Sequence, residues 1–269
     1  MFDDLVIASA TAESNALIAL KKTNGEEVWR YEREGLDGVW GSPVLAPING
    51  GGAELVFAEP FRMVGIDPAT GEERWSSVGI DNDTVSTSTL LSEGVAYVLA
   101  GRGGSVAVRT GGEGDVTESH LLWRGSHRGG IATPICYEGK IYFIGRQGMN
   151  CIDATTGDRI YQERFETAAA EPAAEEATNE GRGRRGRRGG FGSIPYASPV
   201  VADGVLYAFG RTGEAYVVRL GDEFEQLATN QLADGGDFSG TPALSDGQMF
   251  VRSSKALYCI EQIGGAAQR

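Results

Sequence analysis

The chain has 269 residues, 41% of them apolar, with 40 glycines against nine prolines and a formal net charge of −13. Such a length buries a substantial core, and so much glycine fits many short strands joined by tight turns. The negative charge argues against a nucleic-acid partner for the chain as a whole, and no apolar run approaches the roughly 18 residues needed to span a bilayer.

The start, MFDDLVIASA, shows no basic n-region and no cleavage site, so no signal peptide is visible. Strands are expected from there onward at 5–9, 16–20 and 27–31, with a turn through Gly25 between the last two. A fuller round follows: Ser42-Pro43-Val44-Leu45, then 55–59, 63–67 and 73–78. The third round opens without proline at Ser88-Thr89-Leu90-Leu91 and continues at 95–99, 105–109 and 121–124. The fourth is Thr133-Pro134-Ile135-Cys136, 141–145, 150–153 and 159–165. The fifth is Ser198-Pro199-Val200-Val201, 206–210, 215–220 and 224–227. The last is Thr241-Pro242-Ala243-Leu244, 249–253 and 256–261. Proline cannot donate to a ladder, so each opening strand should carry it at its start or edge.

Trp29 and Trp75 are 46 residues apart, and Trp75 and Trp123 are 48 apart. A four-stranded antiparallel unit recurring at roughly 40–50 residues predicts an all-β propeller. Three rounds turn through a glycine between their third and fourth strands, as in Ile66-Asp67-Pro68-Ala69-Thr70-Gly71-Glu72-Glu73-Arg74-Trp75. Asp67 and Asp153 can accept backbone N–H groups two residues on, closing an Asx turn, while Gly25, Gly71 and Gly157 supply a positive φ. The ring at 29, 75 or 161 can then lie against backbone where units meet, a burial worth about 2–3 kcal/mol.

The pattern Ala-x-Asp-x-x-x-Gly-x-x-x-Trp resembles the tryptophan-docking repeat of the PQQ-like, or quinoprotein alcohol-dehydrogenase-like, propeller family. Gly65, Asp67, Gly71 and Trp75 match its spacing with Gly for Ala; Ala19, Gly25 and Trp29 match it with Lys21 for Asp. The copy at Asp153, Gly157 and Tyr161 departs with Cys151 and Tyr161, that at Ala107 and Trp123 carries an insertion, and the next is eroded to Val217 and Gly221. The resemblance covers essentially the whole chain. It implies a single propeller domain over 1–269, with five to six recognisable blades, and a non-enzymatic, BamB-like scaffold or binding module of the cell envelope. By the same resemblance it would be periplasmic or secreted, holding a protein or an envelope polymer through one propeller face. Because the first round begins on a second-type strand, the ring is expected to be incomplete at the N-terminus, with self-association through open edges.

The alternative implied by the resemblance is a fragment of a PQQ-dependent dehydrogenase. That chemistry would need a bound quinone, calcium held by carboxylate and amide oxygens, an Asp general base and often a vicinal cysteine pair. Cys136, Cys151 and Cys259 are widely separated, and Asp67 and Asp153 are accounted for by their turns, so no cofactor or metal residue is assigned. His120 and His127, on a strand and the loop after it, fall short of a zinc pattern. The glycine runs at 101–104 and 111–114 join strand to strand and read as hairpins, and Asp81-Asn82-Asp83 reads as a surface turn. Residues 167–190, acidic and then Arg-Gly-rich, have no apolar face and are expected to form a disordered insertion.

Overall fold

The computed structural model describes residues 1–48, 50–145, 148–166 and 195–261. The segment 167–190 therefore lies outside the described residues. Among the described residues, six mainly antiparallel sheets follow one another along the chain. The first has three strands, Leu5–Ala10, Ala16–Lys21 and Glu27–Glu32. The second is built from Val44–Pro47, Ala53–Glu59, Arg62–Ile66 and Glu73–Val78. The third comprises Leu90–Ser92, Val95–Leu99, Ser105–Arg109 and Leu121–Gly125. Ile135–Tyr137, Lys140–Gly145, Gly148–Asp153 and Arg159–Glu163 make the fourth. The fifth is Val200–Ala202, Val205–Phe209, Glu214–Arg219 and Glu225–Gln231, and the sixth Ala243–Ser245, Gln248–Arg252 and Leu257–Glu261. Apart from one later strand added to the second sheet, strand order follows chain order in each, which is the all-β repeat the spacing predicts.

Two differences have clear causes. The insertion between Ala107 and Trp123 places Gly114–Asp115 parallel to Glu73–Val78, so the second sheet gains a fifth strand. Its continuation forms a one-turn helix, Thr117–His120, which removes His120 from the strand expected there. Asp115 closes that turn by accepting from the Thr117 N–H at 2.9 Å. Further on, the strand expected at 224–227 runs to Gln231, because its ladder with Glu214–Arg219 continues through a bulge at Val217/Val218.

The prolines behave as their missing donor requires. Val44–Pro47, Ile135–Tyr137, Val200–Ala202 and Ala243–Ser245 each begin immediately after one. The Ser or Thr before the proline, and Ser88 in the same place before Thr89, have a second use that links sheets. The Ser42 N–H donates to Ser88 Oγ at 3.0 Å, the Ser88 N–H to Thr133 Oγ1 at 3.3 Å, and the Ser198 N–H to Thr241 Oγ1 at 3.1 Å. Proline fixes the chain in the extended region at the preceding residue, which holds that N–H and hydroxyl in position.

The chain divides into two compact units, residues 1–145 with 150–160, and residues 146–149 with 161–269. Each packs its own apolar interior. In the first, Leu17, Trp29, Val56, Val64, Trp75 and Val98 are among the buried side chains of one cluster, and Leu99, Trp123, Phe143 and Ile152 belong to another. In the second, Ala197, Phe209, Phe238 and Val251 form the centre, with Tyr207 and Tyr258 packed on it. Among the described residues, no helix is long and apolar enough to cross a membrane.

Candidate functional site

In the first unit the turn residues meet the tryptophans in a repeated way. Ala19, Gly65 and Ala107 stand opposite Trp29, Trp75 and Trp123 in the ladders, and each ladder breaks register at the next residue. At Gly65 the indole lies directly on the backbone, and a methyl group there would sit 2.0 Å from Trp75 Nε1. The ring of one sheet then reaches the turn of the next. Trp29 packs on Gly71, where an added methyl would fall 2.7 Å from Cε3, and its Nε1 donates to the Pro68 carbonyl at 3.0 Å. Trp123 packs on Gly157, where the same methyl would fall 2.8 Å from Cδ2, and its Nε1 donates to the Ala154 carbonyl at 2.9 Å. Both carbonyls belong to the residue after the turn Asp. Asp67 accepts from the Ala69 N–H and pairs with Arg74; Asp153 accepts from the N–H groups of Thr155 and Thr156. Gly25, Gly71 and Gly157 have φ of 73°, 78° and 75°.

Trp75 meets the irregular third turn and needs a different acceptor. Its Nε1 donates to Glu54 Oε2 at 2.8 Å, and Glu54 Oε1 accepts the Gly111 N–H at 2.7 Å. One buried carboxylate thus joins the ring of the second sheet to the turn of the third. Sequence reasoning passes over Glu54, since only the fold brings it to Gly111. The missing turn Asp after Ala107 is the one signal that a substitute acceptor is required. Tyr161 in the second unit is buried and meets Phe224 edge-on at 6.0 Å.

A second cluster gathers Tyr31 and Arg33 from the end of the first sheet and Glu59, Arg62 and Glu73 from the second. The Tyr31 hydroxyl donates to Glu59 Oε1 at 2.6 Å and lies 3.1 Å from Glu73 Oε2. Glu59, only 1% exposed, also faces Arg33 and Arg62 at 3.5 and 3.6 Å, while Arg62 pairs with Glu73. Burial, countered in part by the Tyr31 hydrogen bond and reinforced by the Glu73 charge, raises the Glu59 carboxyl to about 7. Desolvation and the two carboxylates push the Tyr31 phenol upward.

Trp40 is of another kind. Its N–H donates to the Val85 carbonyl and the Val85 N–H to the Gly38 carbonyl, so its backbone is clamped in a parallel bridge. A methyl at Gly38 or Gly41 would lie 2.3 Å from the carbonyl oxygens of Asp83 and Thr87 respectively. The indole nevertheless projects outward, 61% exposed. Ile131 and Tyr196, which hold the same place before small-Thr-Pro and small-Ser-Pro, are also exposed.

The carboxylates of the docking turns and of the Tyr31 cluster are engaged within the protein. Asp67 and Asp153 hold their turns, Glu54 holds Trp75 and Gly111, and Glu59 is bonded to Tyr31. Calcium asks for six to eight converging oxygens. Among the described residues no three His, Cys, Asp or Glu side chains converge to hold a metal. His127 is buried with Nε2 2.6 Å from the Gly157 carbonyl, and His120 Nδ1 lies 2.7 Å from Ser119 Oγ. Cys136 and Cys259 are free thiols, and Cys151 is buried.

Antiparallel four-stranded repeats, with the aromatic of one sheet docked on the turn of the next, define the PQQ-like class of β-propeller repeat proteins. The chain belongs to the family described as outer membrane protein assembly factor BamB, whose profile matches residues 2–178. No curated protein sequence matches it. The crystal structure of BamB from Moraxella catarrhalis superposes with a TM-score of 0.65 at 11% identity, covering 96% of this chain and 70% of that one. A europium-containing methanol dehydrogenase superposes with a TM-score of 0.56 at 13% identity, covering 84% of this chain and 51% of that one. At these identities the likeness is one of fold.

Proposed function

We propose that this protein is a non-catalytic binding module of the cell envelope, in which the propeller repeat displays a rigid surface to a protein partner. The observation that carries this reading is Trp40, an indole largely in solvent on a backbone locked by two hydrogen bonds and two tightly packed glycines. Tryptophan presented without conformational freedom is the side chain that most often anchors a protein interface, because little entropy is lost when it is covered. Membership of the BamB family supports an envelope location and a role in assembly. In this reading the set Ala19, Gly25, Trp29, Gly65, Asp67, Gly71, Trp75, Ala107, Trp123, Asp153, Gly157 and Tyr161 is structural, and the whole chain serves as one scaffold.

A photo-crosslinking residue placed at position 40 in cells tests the reading. A discrete envelope-protein adduct is expected from position 40 and none from Leu122, an exposed apolar residue on an outer strand. Equal labelling from both positions would remove Trp40 as the anchor. Dye-linked alcohol oxidation with added PQQ and calcium should give no turnover; saturable turnover would overturn the non-catalytic reading and favour the dehydrogenase one.

A further inference from the structure

Trp40 and Tyr196 hold the same place in their rounds, two residues before the serine that precedes the opening strand. In the second unit the Tyr196 ring carries a cation. The Arg211 guanidinium lies over it, 4.5 Å from the centroid. Asp237 holds the same guanidinium, its Oδ2 accepting from Arg211 Nε at 2.8 Å and from Nη2. The Ser239 hydroxyl fixes Asp237 in turn. Aromatic face, planar cation and carboxylate thus form a closed set. Arg211 comes from the hairpin between the second and third strands of that round, and Asp237 from the connection to the next.

In the first unit the same set lacks its cation. Trp40 offers the larger ring, and among the described residues no cation lies over it. The carboxylates are present and doubled. Asp37 and Asp83 each stand two residues before the Val39–Val85 bridge, in corresponding positions on the two clamped segments. Both are exposed, and among the described residues neither is in an ion pair. Like charges on neighbouring strands repel unless a counter-charge joins them. Of the arginines at this end, Arg33 faces Glu59 and Arg102 lies on the third-round hairpin. The sequence shows which arginine is missing. Gly-Arg stands at 101–102, 145–146 and 210–211 in the third to fifth rounds, whereas the second has Glu59-Pro60. Pro60 holds the place of Arg211, since Val56 pairs with Val44 as Tyr207 pairs with Val200. Where the exposed residue is Ile131, the position three before it is Arg128 rather than an aspartate.

We infer that Trp40, Asp37 and Asp83 together take an arginine side chain of the protein partner, its guanidinium stacked on the indole and bonded to the carboxylates, as Arg211 is to Tyr196 and Asp237. This rests on the reading of Trp40 as an interface anchor and names what the anchor binds. Arginine suits the site better than lysine. Its planar group stacks on a ring while its edge donates to carboxylates, whereas an ammonium is a compact, strongly hydrated point charge.

The test titrates Nα-acetyl-arginine amide into the full chain carrying isotope-labelled tryptophan and follows the indole N–H signals by NMR, with Trp40→Phe assigning the signal of Trp40. A saturable shift of that signal is expected. Trp29, Trp75 and Trp123 should not move, because their N–H groups are buried and bonded. Nα-acetyl-citrulline amide, nearly the same shape without the charge, should give no saturable shift. Asp37→Asn combined with Asp83→Asn should weaken the response to the arginine probe by about threefold or more. No saturable shift of the Trp40 signal, an equal response to citrulline, or an unchanged response in the double variant would overturn the assignment. A Trp40 response without a position-40 adduct in cells retains the arginine site and removes the envelope partner. An adduct that persists undiminished in the double variant retains the partner and overturns the arginine site.

Discussion

The two compact units build their aromatic contacts from different materials. In the first, three indoles are laid on backbone: Trp29 on Gly71, Trp75 on Gly65 and Trp123 on Gly157, each with its N–H satisfied. In the second, rings are laid on rings. Phe165 stacks on Tyr216 at 4.3 Å, and Phe224 takes both Tyr161 and Phe165 edge-on at 6.0 and 6.1 Å. Ring on glycine demands one residue type at one position and a positive φ beside it. Ring on ring accepts any of several aromatics at several positions. The motif is therefore sharp in the first unit and eroded in the second, although both bury their aromatics.

The largest break in this comparison should come from Trp75→Ala. It removes a side chain that is 1% exposed and strips Glu54 of its indole donor, so a loss of about 3–5 kcal/mol in urea unfolding is expected. An unchanged midpoint would mean that the ring on Gly65 contributes nothing.

Glu59→Gln tests the polar cluster at the strand ends of the first unit. The folded carboxyl holds its proton to about 7, against an ordinary value of 4.5, so the wild-type protein is relatively stabilised at low pH. That advantage is fully present below about 4.5 and is lost as the pH rises through about 7. The Gln variant keeps a neutral group at every pH. Relative to wild type it should gain stability between pH 5 and 8, by an amount on the order of 3 kcal/mol. Tyr31, Arg33, Arg62 and Glu73 face the group, and parallel stability profiles for the two proteins would contradict the assignment of this pH dependence to Glu59.

A smaller effect separates backbone strain from docking. Gly25 and Gly71 share a positive φ, but a methyl at Gly25 meets nothing within 4 Å while one at Gly71 meets Trp29. Gly25→Ala should cost about 1–2 kcal/mol from the backbone alone, and Gly71→Ala a further 1–3 kcal/mol, roughly, from overpacking. In the second unit, Phe224→Leu keeps apolar bulk and loses two edge contacts, so a loss of only about 0.5–1.5 kcal/mol is expected by thermal unfolding.

Much of the fold was legible because its rules are local. The Asx turns at Asp67 and Asp153, the positive φ at Gly71 and the proline-started strands each follow from one residue's own chemistry. What escaped depends on residues far apart in sequence. Glu54 reaches Gly111 across 57 positions and Tyr31 reaches Glu59 across 28, and no periodicity marks either pair. The insertion after Ala107 was visible as extra length, but its use as a fifth strand beside Glu73–Val78 was not, because a parallel bridge of two residues leaves no pattern. Trp40 is hidden differently: Gly41-Ser42-Pro43 marks the strand that starts after it, and nothing in that pattern marks the residue before.

The central claim is that glycine at the turn exists to receive the tryptophan of the preceding sheet. A double-mutant cycle between Trp29 and Gly71 measures this directly. Gly71→Ala should be costly beside Trp29. In a Trp29→Ala background its cost should fall to that of Gly25→Ala, leaving a coupling of about 1–3 kcal/mol. Strictly additive losses would contradict the account and reduce Gly71 to an ordinary turn glycine.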